Sequence, residues 1–441
     1  MKNQFRDDSM AALYASAANM LQQGDLILAE QYFTRLLDVT PNDLEALQFV
    51  ASRHLFRGDA TQAVQILLLA KEVAPNDAIT LHQLSVAQMA VSDFRGAAHN
   101  LRKVMGLAPQ MFIARLRFGM VLEELGNTHE ALITYAIAIR SAQEKGCWLN
   151  DETTAPGLRD GVLYAIRYVN TRKKELFQSA IEPLRLRYGR SELSRVEHSL
   201  EIYLGEMPAN IPDARQVPKF LYFPDIPSQP YYPSARFPWA AELEANTAFI
   251  REELLSVLSK NQPLESFLQI SSPRDAPELL KSSGPADAAW DAYFFHRHGD
   301  RYDEHCVECP RTAALLDSLP LARVRDHSPE TLFSILRPGT HILPHTGVTN
   351  TRLVTHLPLI VPPDCALIVG GETHVWEEGR CVTFDDTFEH QAWNKSTETR
   401  VVLIVDSWNP DLSEAERAAV ADLVGAIGDF NRACEMTAPV N

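Results

Sequence analysis

The chain has 441 residues, 46% hydrophobic and 22% charged, which suffices for two or three domains with their own cores and excludes a disordered, collagen-like or disulfide-scaffold protein. With 41 basic and 57 acidic residues the formal charge is −16, so a phosphate backbone is repelled and nucleic acid is not an expected partner. No run approaches about 20 uninterrupted apolar residues, and the N-terminus lacks the apolar stretch of a signal peptide. Six scattered cysteines (Cys147, Cys306, Cys309, Cys365, Cys381, Cys434) outline no disulfide framework. The expectation is a soluble cytoplasmic protein with reduced thiols and no membrane insertion.

Self-similarity dominates the first third. Pro41, Pro75 and Pro109 are spaced by 34 residues, as are Ala29, Ala63, Ala97 and Ala131. Small residues (Ala17, Ala51, Ser85, Gly119), bulky ones (Phe33, Leu67, Leu101, Tyr135) and turn positions (Gly24, Gly58, Ser92, Gly126) keep the same period. This pattern resembles the tetratricopeptide repeat and predicts four helix pairs over residues 8–143. A single pair cannot bury its apolar face, so neighbours stack into a superhelix whose concave surface suits a polypeptide substrate or partner protein. A mere spacer or dimerisation element is the rival reading of the same repeats.

Residues 144–212 keep a helical texture (Val162, Ile166, Val169, Phe177, Ile181, Leu184) without the repeat register and are read as a bridging or capping segment. Pro218, Pro224, Pro227, Pro230, Pro233 and Pro238 then exclude helix and mark a boundary, leaving residues 213–441 as the last domain. There the pattern predicts one amphipathic helix over 240–258. Strands are predicted over 333–336, 352–361, 366–369, 382–384 and 401–405, as in an antiparallel sandwich or jelly roll. Ser413 and Glu416 form a capping box that opens a final helix to about Met436. The fold class is thus α + β and multidomain: an α-superhelical repeat array followed by a double-stranded β-helix.

Within the β region His345 lies in Pro-His-Thr-Gly, His390 follows 45 residues later, and Arg400 ten residues after that. Histidines on neighbouring strands can chelate one metal. Non-haem Fe(II) takes neutral imidazoles and oxygen donors with open positions for a cosubstrate and dioxygen, and a guanidinium can fork onto the distal carboxylate of a 2-oxo acid. The spacing is that of a 2-oxoglutarate oxygenase, except that Gly347 stands where an acidic ligand is expected.

Residues 218–436 further resemble the aspartyl/asparaginyl β-hydroxylase family. The resemblance is carried by 338–341 (Pro-Gly-Thr-His), 344–350 (Pro-His-Thr-Gly-Val-Thr-Asn), 376–379 (Trp-Glu-Glu-Gly), 384–390 (Phe-Asp-Asp-Thr-Phe-Glu-His) and 405–410 (Val-Asp-Ser-Trp-Asn-Pro). It implies that His345 and His390 bind iron, and that the animal peptide hydroxylases also carry glycine at the position of Gly347. It implies that Asp386 holds an iron-bound water and that Ser334, His356 and Arg400 bind 2-oxoglutarate. Where the animal enzymes have a further cosubstrate-contacting arginine, this chain has Val354. The implied reaction uses Fe(II), 2-oxoglutarate and dioxygen to hydroxylate the β-carbon of an Asp or Asn residue in a polypeptide, with succinate and CO2 as coproducts. Two rivals stay open: a hydroxylase of a carrier-bound amino acid or lipid, and a repeat adaptor without catalysis. Retention of all six residues argues against the adaptor.

The remaining polar residues receive plainer readings. The segment 295–309, with His296, His298, His305, Cys306 and Cys309, lacks the second paired motif of a zinc site and is read as a loop on the substrate side. His341 shares a strand face with His345 and is taken as a polar neighbour, Asp385 and Glu389 as solvated or turn residues, and Trp376, Trp393 and Trp408 as packing. Arg352 and Asn350 are conspicuous polar residues on or beside one strand.

Overall fold

The computed structural model describes residues 2–260, 263–268, 279–282 and 287–436. Two compact units emerge: one runs up to Lys173 and resumes at Phe430, the other is Lys174–Asp429.

The first unit is built from eight consecutive helices: α1 (Lys2–Gln22), α2 (Leu26–Val39), α3 (Leu44–Phe56), α4 (Ala60–Val73), α5 (Ala78–Ala90), α6 (Phe94–Leu107), α7 (Phe112–Glu124) and α8 (Thr128–Gln143). Helix α9 (Arg159–Tyr188) follows and runs through Pro183. The 34-residue period has a physical cause at each position. Asp25, Asp59 and Asp93 accept a backbone N–H at the starts of α2, α4 and α6, and Asp43 and Asp77 do so for α3 and α5. Gly24, Gly58, Ser92 and Gly126 turn the chain within each pair at positive φ. Small residues on the first helix of a pair admit bulky ones from the second: a Cβ on Gly119 would lie 2.5 Å from the Tyr135 ring. Ala29, Ala63, Ala97 and Ala131 are fully buried.

Among the described residues the second unit contains α10 (Ser194–Tyr203) and thirteen strands: β1 (Tyr231–Tyr232), β2 (Glu265–Ser266), β3 (Leu280–Ser282), β4 (Trp290–Arg297), β5 (Asp300–Arg301), β6 (Thr331–Leu336), β7 (Thr340–His345), β8 (Arg352–Ile360), β9 (Cys365–Val369), β10 (Glu372–His374), β11 (Val382–Phe384), β12 (His390–Asn394) and β13 (Arg400–Trp408). They form an antiparallel sheet ordered β1-β11-β8-β13-β6-β4-β2, with β5 beside β4, and a smaller one ordered β10-β9-β12-β7-β3. Leu332, Val354, Val402 and Ile404 of the larger sheet pack against Ile342, Leu367, Val369 and Ala392 of the smaller, so the two sheets enclose an apolar interior. Alternation sends Phe333, Leu357, Leu403 and Val405 to the opposite face of the larger sheet. There they meet α11 (Ala240–Ala245), α12 (Thr247–Ser259), α13 (Asp303–Glu308) and α14 (Pro310–Ser318).

The single helix expected over 240–258 is therefore two, broken at Asn246 between α11 and α12. Beyond the placing of His341, His345 and His390 on strands, the β-branched runs of the sequence do not delineate β4, β7 or β12, because both faces of β4 are buried and β7 and β12 mix polar site residues into their alternation. The final helix, α15 (Glu414–Met436), opens with the anticipated capping box: Glu416 N–H donates to Ser413 Oγ at 3.2 Å and Ser413 N–H to the Glu416 carboxylate at 2.8 Å. Among the described residues no helix is long and apolar enough to cross a membrane.

Candidate active site

His345 ends β7 and His390 begins β12, and the two strands pair these residues directly, bringing the ring centroids to 4.1 Å. The ladder is irregular here. Between the pairs His390↔His345 and Ala392↔Ile342, β7 spends three residues where β12 spends two. This bulge, which contains Pro344, turns His345 onto the interior face beside Ile342. His341 is thereby sent elsewhere: its Nε2 lies 2.8 Å from Gln391 Oε1. The expected shared face of His341 and His345 is thus corrected by a single extra residue.

Each site imidazole is oriented by its own strand. His345 Nδ1 lies 2.8 Å from Leu343 O, and His390 Nδ1 lies 3.0 Å from Phe388 O. A carbonyl oxygen only accepts, so Nδ1 carries the proton in both rings and each Nε2 keeps its lone pair. Burial, and for His345 also the neighbouring His390, pushes both imidazoles down to about 4, so they are neutral at physiological pH. Two neutral Nε2 atoms side by side suit one divalent transition metal. Gly347 supplies no third ligand, and the structure shows why it is glycine: a Cβ there would lie 2.2 Å from the Asp386 carboxyl carbon. The Asp386 carboxylate occupies the space of the missing side chain, with its Oδ1 buried and without a hydrogen-bond partner. That leaves an acceptor able to hold a water beside a two-histidine metal.

The opposite wall comes from the larger sheet. Arg400, Val402, Ile404 and Asp406 alternate along β13, where Val402 faces Ser334 on β6 and Ile404 faces His356 on β8. Arg400 is only 1% exposed. Its Nε and Nη1 have no hydrogen-bond partner, no carboxylate pairs with it among the described residues, and its guanidinium lies 4.8 Å from the centre of the Trp376 ring. Trp376 Nε1 and His356 Nδ1 are likewise buried without partners, while Ser334 Oγ accepts from Trp290 Nε1 at 2.9 Å and keeps its own proton to donate. Several unsatisfied donors around one buried cation fit an anionic ligand.

Between the two sheets lies a cavity of about 240 Å³ lined by His345, His390, Asp386 and His356, whereas Arg400, Ser334 and Trp376 are not part of its lining. Val354 contributes an apolar surface to it, and Arg352, two residues earlier on β8, contributes the charge. Arg352 pairs with Asp406 at 2.9 Å and with Asp386 at 3.4 Å, and Glu330 adds a third acid on the same wall. One guanidinium facing three carboxyl groups in a buried place stays protonated despite burial, while burial pushes Asp386 and Asp406 up and Glu330 up to about 7. Glu330, Trp290 and Phe267, the last two stacked at 3.9 Å, are site residues that sequence reading missed. Only Asp406 had a usable signal, the two-residue alternation from Arg400.

Other expectations separate from the site. Asp385 is not solvated: it is fully buried and accepts from Gln216 Nε2 at 2.8 Å and Thr387 N–H at 2.9 Å, a turn role. Asn350 ties Phe223 through both of its backbone polar groups. The segment 295–309 is not a loop but the end of β4, the strand β5 and helix α13. Its histidines scatter: His296 meets Thr331 Oγ1 at 2.8 Å, His305 meets Phe294 O at 2.7 Å, and His298 pairs with Glu330 at 3.1 Å. Cys306 and Cys309 are buried free thiols, Cys309 pushed up to about 12 mainly by burial. Among the described residues, no cluster of three or more metal-ligating side chains occurs.

A family model described as Aspartyl/Asparaginyl beta-hydroxylase matches residues 244–410. Aspartate beta-hydroxylase domain-containing protein 2 of Rattus norvegicus is 32% identical over 248 residues, 55% of this chain and 68% of that protein. Aspartyl/asparaginyl beta-hydroxylase of Homo sapiens is 37% identical over 179 residues, 40% of this chain and 22% of that protein. Ornithine lipid ester-linked acyl 2-hydroxylase of Rhizobium tropici is 36% identical over 198 residues, 44% of this chain and 66% of that protein. The chain thus spans between 22% and 68% of the length of these relatives. Among solved structures, the crystal structure of MamA protein covers 41% of this chain and 96% of its own, with 18% identity and a TM-score of 0.29. The family match spans β2 to β13 and with them the paired histidines, and this chain belongs to the aspartyl/asparaginyl β-hydroxylase family.

Proposed function

We propose that this chain is an Fe(II)- and 2-oxoglutarate-dependent dioxygenase with a double-stranded β-helix core. It hydroxylates the β-carbon of an Asp or Asn residue in a polypeptide and releases succinate and CO2. The observation that carries the reading is the pairing of two neutral, strand-oriented Nε2 atoms, on His345 and His390, with the unpaired buried guanidinium of Arg400 on the facing sheet. Iron bound there supplies the oxidation of a substrate C–H bond by dioxygen, coupled to decarboxylation of the 2-oxo acid. The chain supplies the rest. His345 and His390 hold the metal, with Nδ1 fixed by backbone carbonyls. Arg400 and Ser334 receive the distal carboxylate of 2-oxoglutarate, and His356 turns a free Nδ1 toward the same ligand. Asp386 orients a water through Oδ1, and the apolar wall that includes Val354, Phe384 and Ile404 keeps bulk water out.

The repeats would recruit the polypeptide. A second reading, oxidation of a lipid acyl group, is favoured by the Rhizobium tropici relative and by the missing arginine at Val354. The test is succinate formation by anaerobically purified protein given Fe(II), 2-oxoglutarate and air. Wild type is expected to form succinate and His345→Ala none. Absence of succinate together with absence of Fe(II) and 2-oxoglutarate binding by titration would refute the oxygenase and leave the adaptor.

A further inference from the structure

A second cavity, of about 290 Å³, adjoins the metal cavity and shares two wall residues with it, Glu330 and Arg352. Most of its wall surface is apolar, from Phe220 ahead of β1, Val324 before β6, Val348 after β7, Trp408 at the end of β13 and Val420 and Val424 of α15, with polar residues such as His327, Thr349 and Thr351 on the remainder. Nothing in the oxygen chemistry proposed above uses it. The partition between the two cavities is polar. Glu330 accepts the His298 backbone N–H at 2.9 Å and meets His298 Nδ1 at 3.1 Å, and Arg352 is held by Asp406 at 2.9 Å.

A charged partition thus separates the metal cavity, with its histidines and carboxyl groups, from a chamber of largely apolar surface, and this arrangement selects among ligands. A hydrocarbon chain laid across the partition would strip water from Glu330 and Arg352 and return no hydrogen bond. A peptide bond brings a donor and an acceptor to that point and an apolar side chain to the chamber beyond.

We infer that the second cavity is a substrate subsite for an apolar side chain flanking the hydroxylated residue of a polypeptide, with the intervening peptide bond crossing at Glu330 and Arg352. The inference rests on the oxygenase reading and names the local sequence that the site prefers. It also selects the polypeptide over the acyl substrate.

The test uses the full chain with Fe(II) and 2-oxoglutarate and nonapeptides with a central Asn or Asp, whose flanking positions carry Ala, Leu, Phe or Glu in turn, read by a mass gain of 16. Leu or Phe at one flanking position is expected to exceed Ala by about tenfold or more in kcat/KM. That ratio should fall below threefold in Val424→Trp and in Val348→Trp, the latter at a residue that is 42% exposed and so tolerant of a larger side chain. Because the readout is a ratio within each variant, a general loss of activity does not mimic the result. A flat wild-type profile, an unchanged ratio in both variants, or turnover of N-octanoyl-asparagine in place of every peptide would overturn the inference. If no peptide turns over, saturation-transfer NMR decides: N-acetyl-leucinamide should receive signal from wild type and not from Val424→Trp, and equal signals overturn the subsite. Failure of the oxygenase reading shows separately, as absence of succinate and of 2-oxoglutarate binding.

Discussion

Arg400 offers a two-sided test of the cosubstrate wall. Burial pushes its guanidinium from the usual 12.5 down to about 10. A displacement of that size corresponds to about 3 kcal/mol of uncompensated charge burial in the anion-free protein. Replacing a buried, unpaired cation by an apolar side chain of similar length is neutral or stabilising. Arg400→Met is therefore expected to keep or raise the melting temperature without 2-oxoglutarate, by up to about 6–12 °C if the whole 3 kcal/mol is recovered. The same change should weaken 2-oxoglutarate binding by about 2–5 kcal/mol, roughly 30-fold to several thousand-fold. Calorimetric titration of Mn(II)-loaded protein measures the affinity, and scanning calorimetry with and without 2-oxoglutarate measures the stability. Wild type should gain about 2.7 kcal/mol at a 2-oxoglutarate concentration of 100 times its Kd, and the variant almost nothing at the same concentration. Unaltered affinity, or an anion-free variant several kcal/mol less stable than wild type, would show that Arg400 is satisfied internally and refute the argument.

Gly347→Ala places a Cβ against the Asp386 carboxylate, so stability should fall by about 1–3 kcal/mol and succinate formation should drop; an active, equally stable variant would show that Asp386 yields freely. Glu330→Gln tests the charged partition by pH. With its folded value raised from 4.5 to about 7, Glu330 is protonated in the folded chain and ionised in the unfolded one across that window, so wild-type stability should decline as pH rises from 4.5 to 7. The variant should lack that decline, worth up to about 3 kcal/mol, in urea unfolding at pH 5 and 8. In the repeats, Gly119→Ala drives a methyl into Tyr135 and should cost about 1–3 kcal/mol in thermal unfolding, whereas Gly24→Ala meets open space and carries only the cost of its positive φ.

The repeat array was legible because its physics is local. Capping aspartates, turn glycines and small-against-bulky contacts recur every 34 residues, and each acts within one or two helices. The capping box of α15 and the paired histidines at 345 and 390 were legible for a related reason: their partners lie on the same element or on strands whose pairing places matching motifs side by side. The spacing from His390 placed Arg400 in the β region as a cation for the cosubstrate. It could not show that Trp376 lies under the guanidinium or that the cation lacks a carboxylate, because those contacts join distant segments.

Tertiary structure alone settled the rest. One extra residue in β7 puts His341 and His345 on different faces, and bulges depend on cross-strand register rather than on composition. The reason for Gly347 is a carboxylate 39 positions further along the chain, in contact only because two strands pair. The partition of Glu330 and Arg352, with a cavity on either side, gathers residues from two strand ends. Sequence carries such a site only as isolated charges, since cavities form where packing leaves space and no periodicity records where that happens.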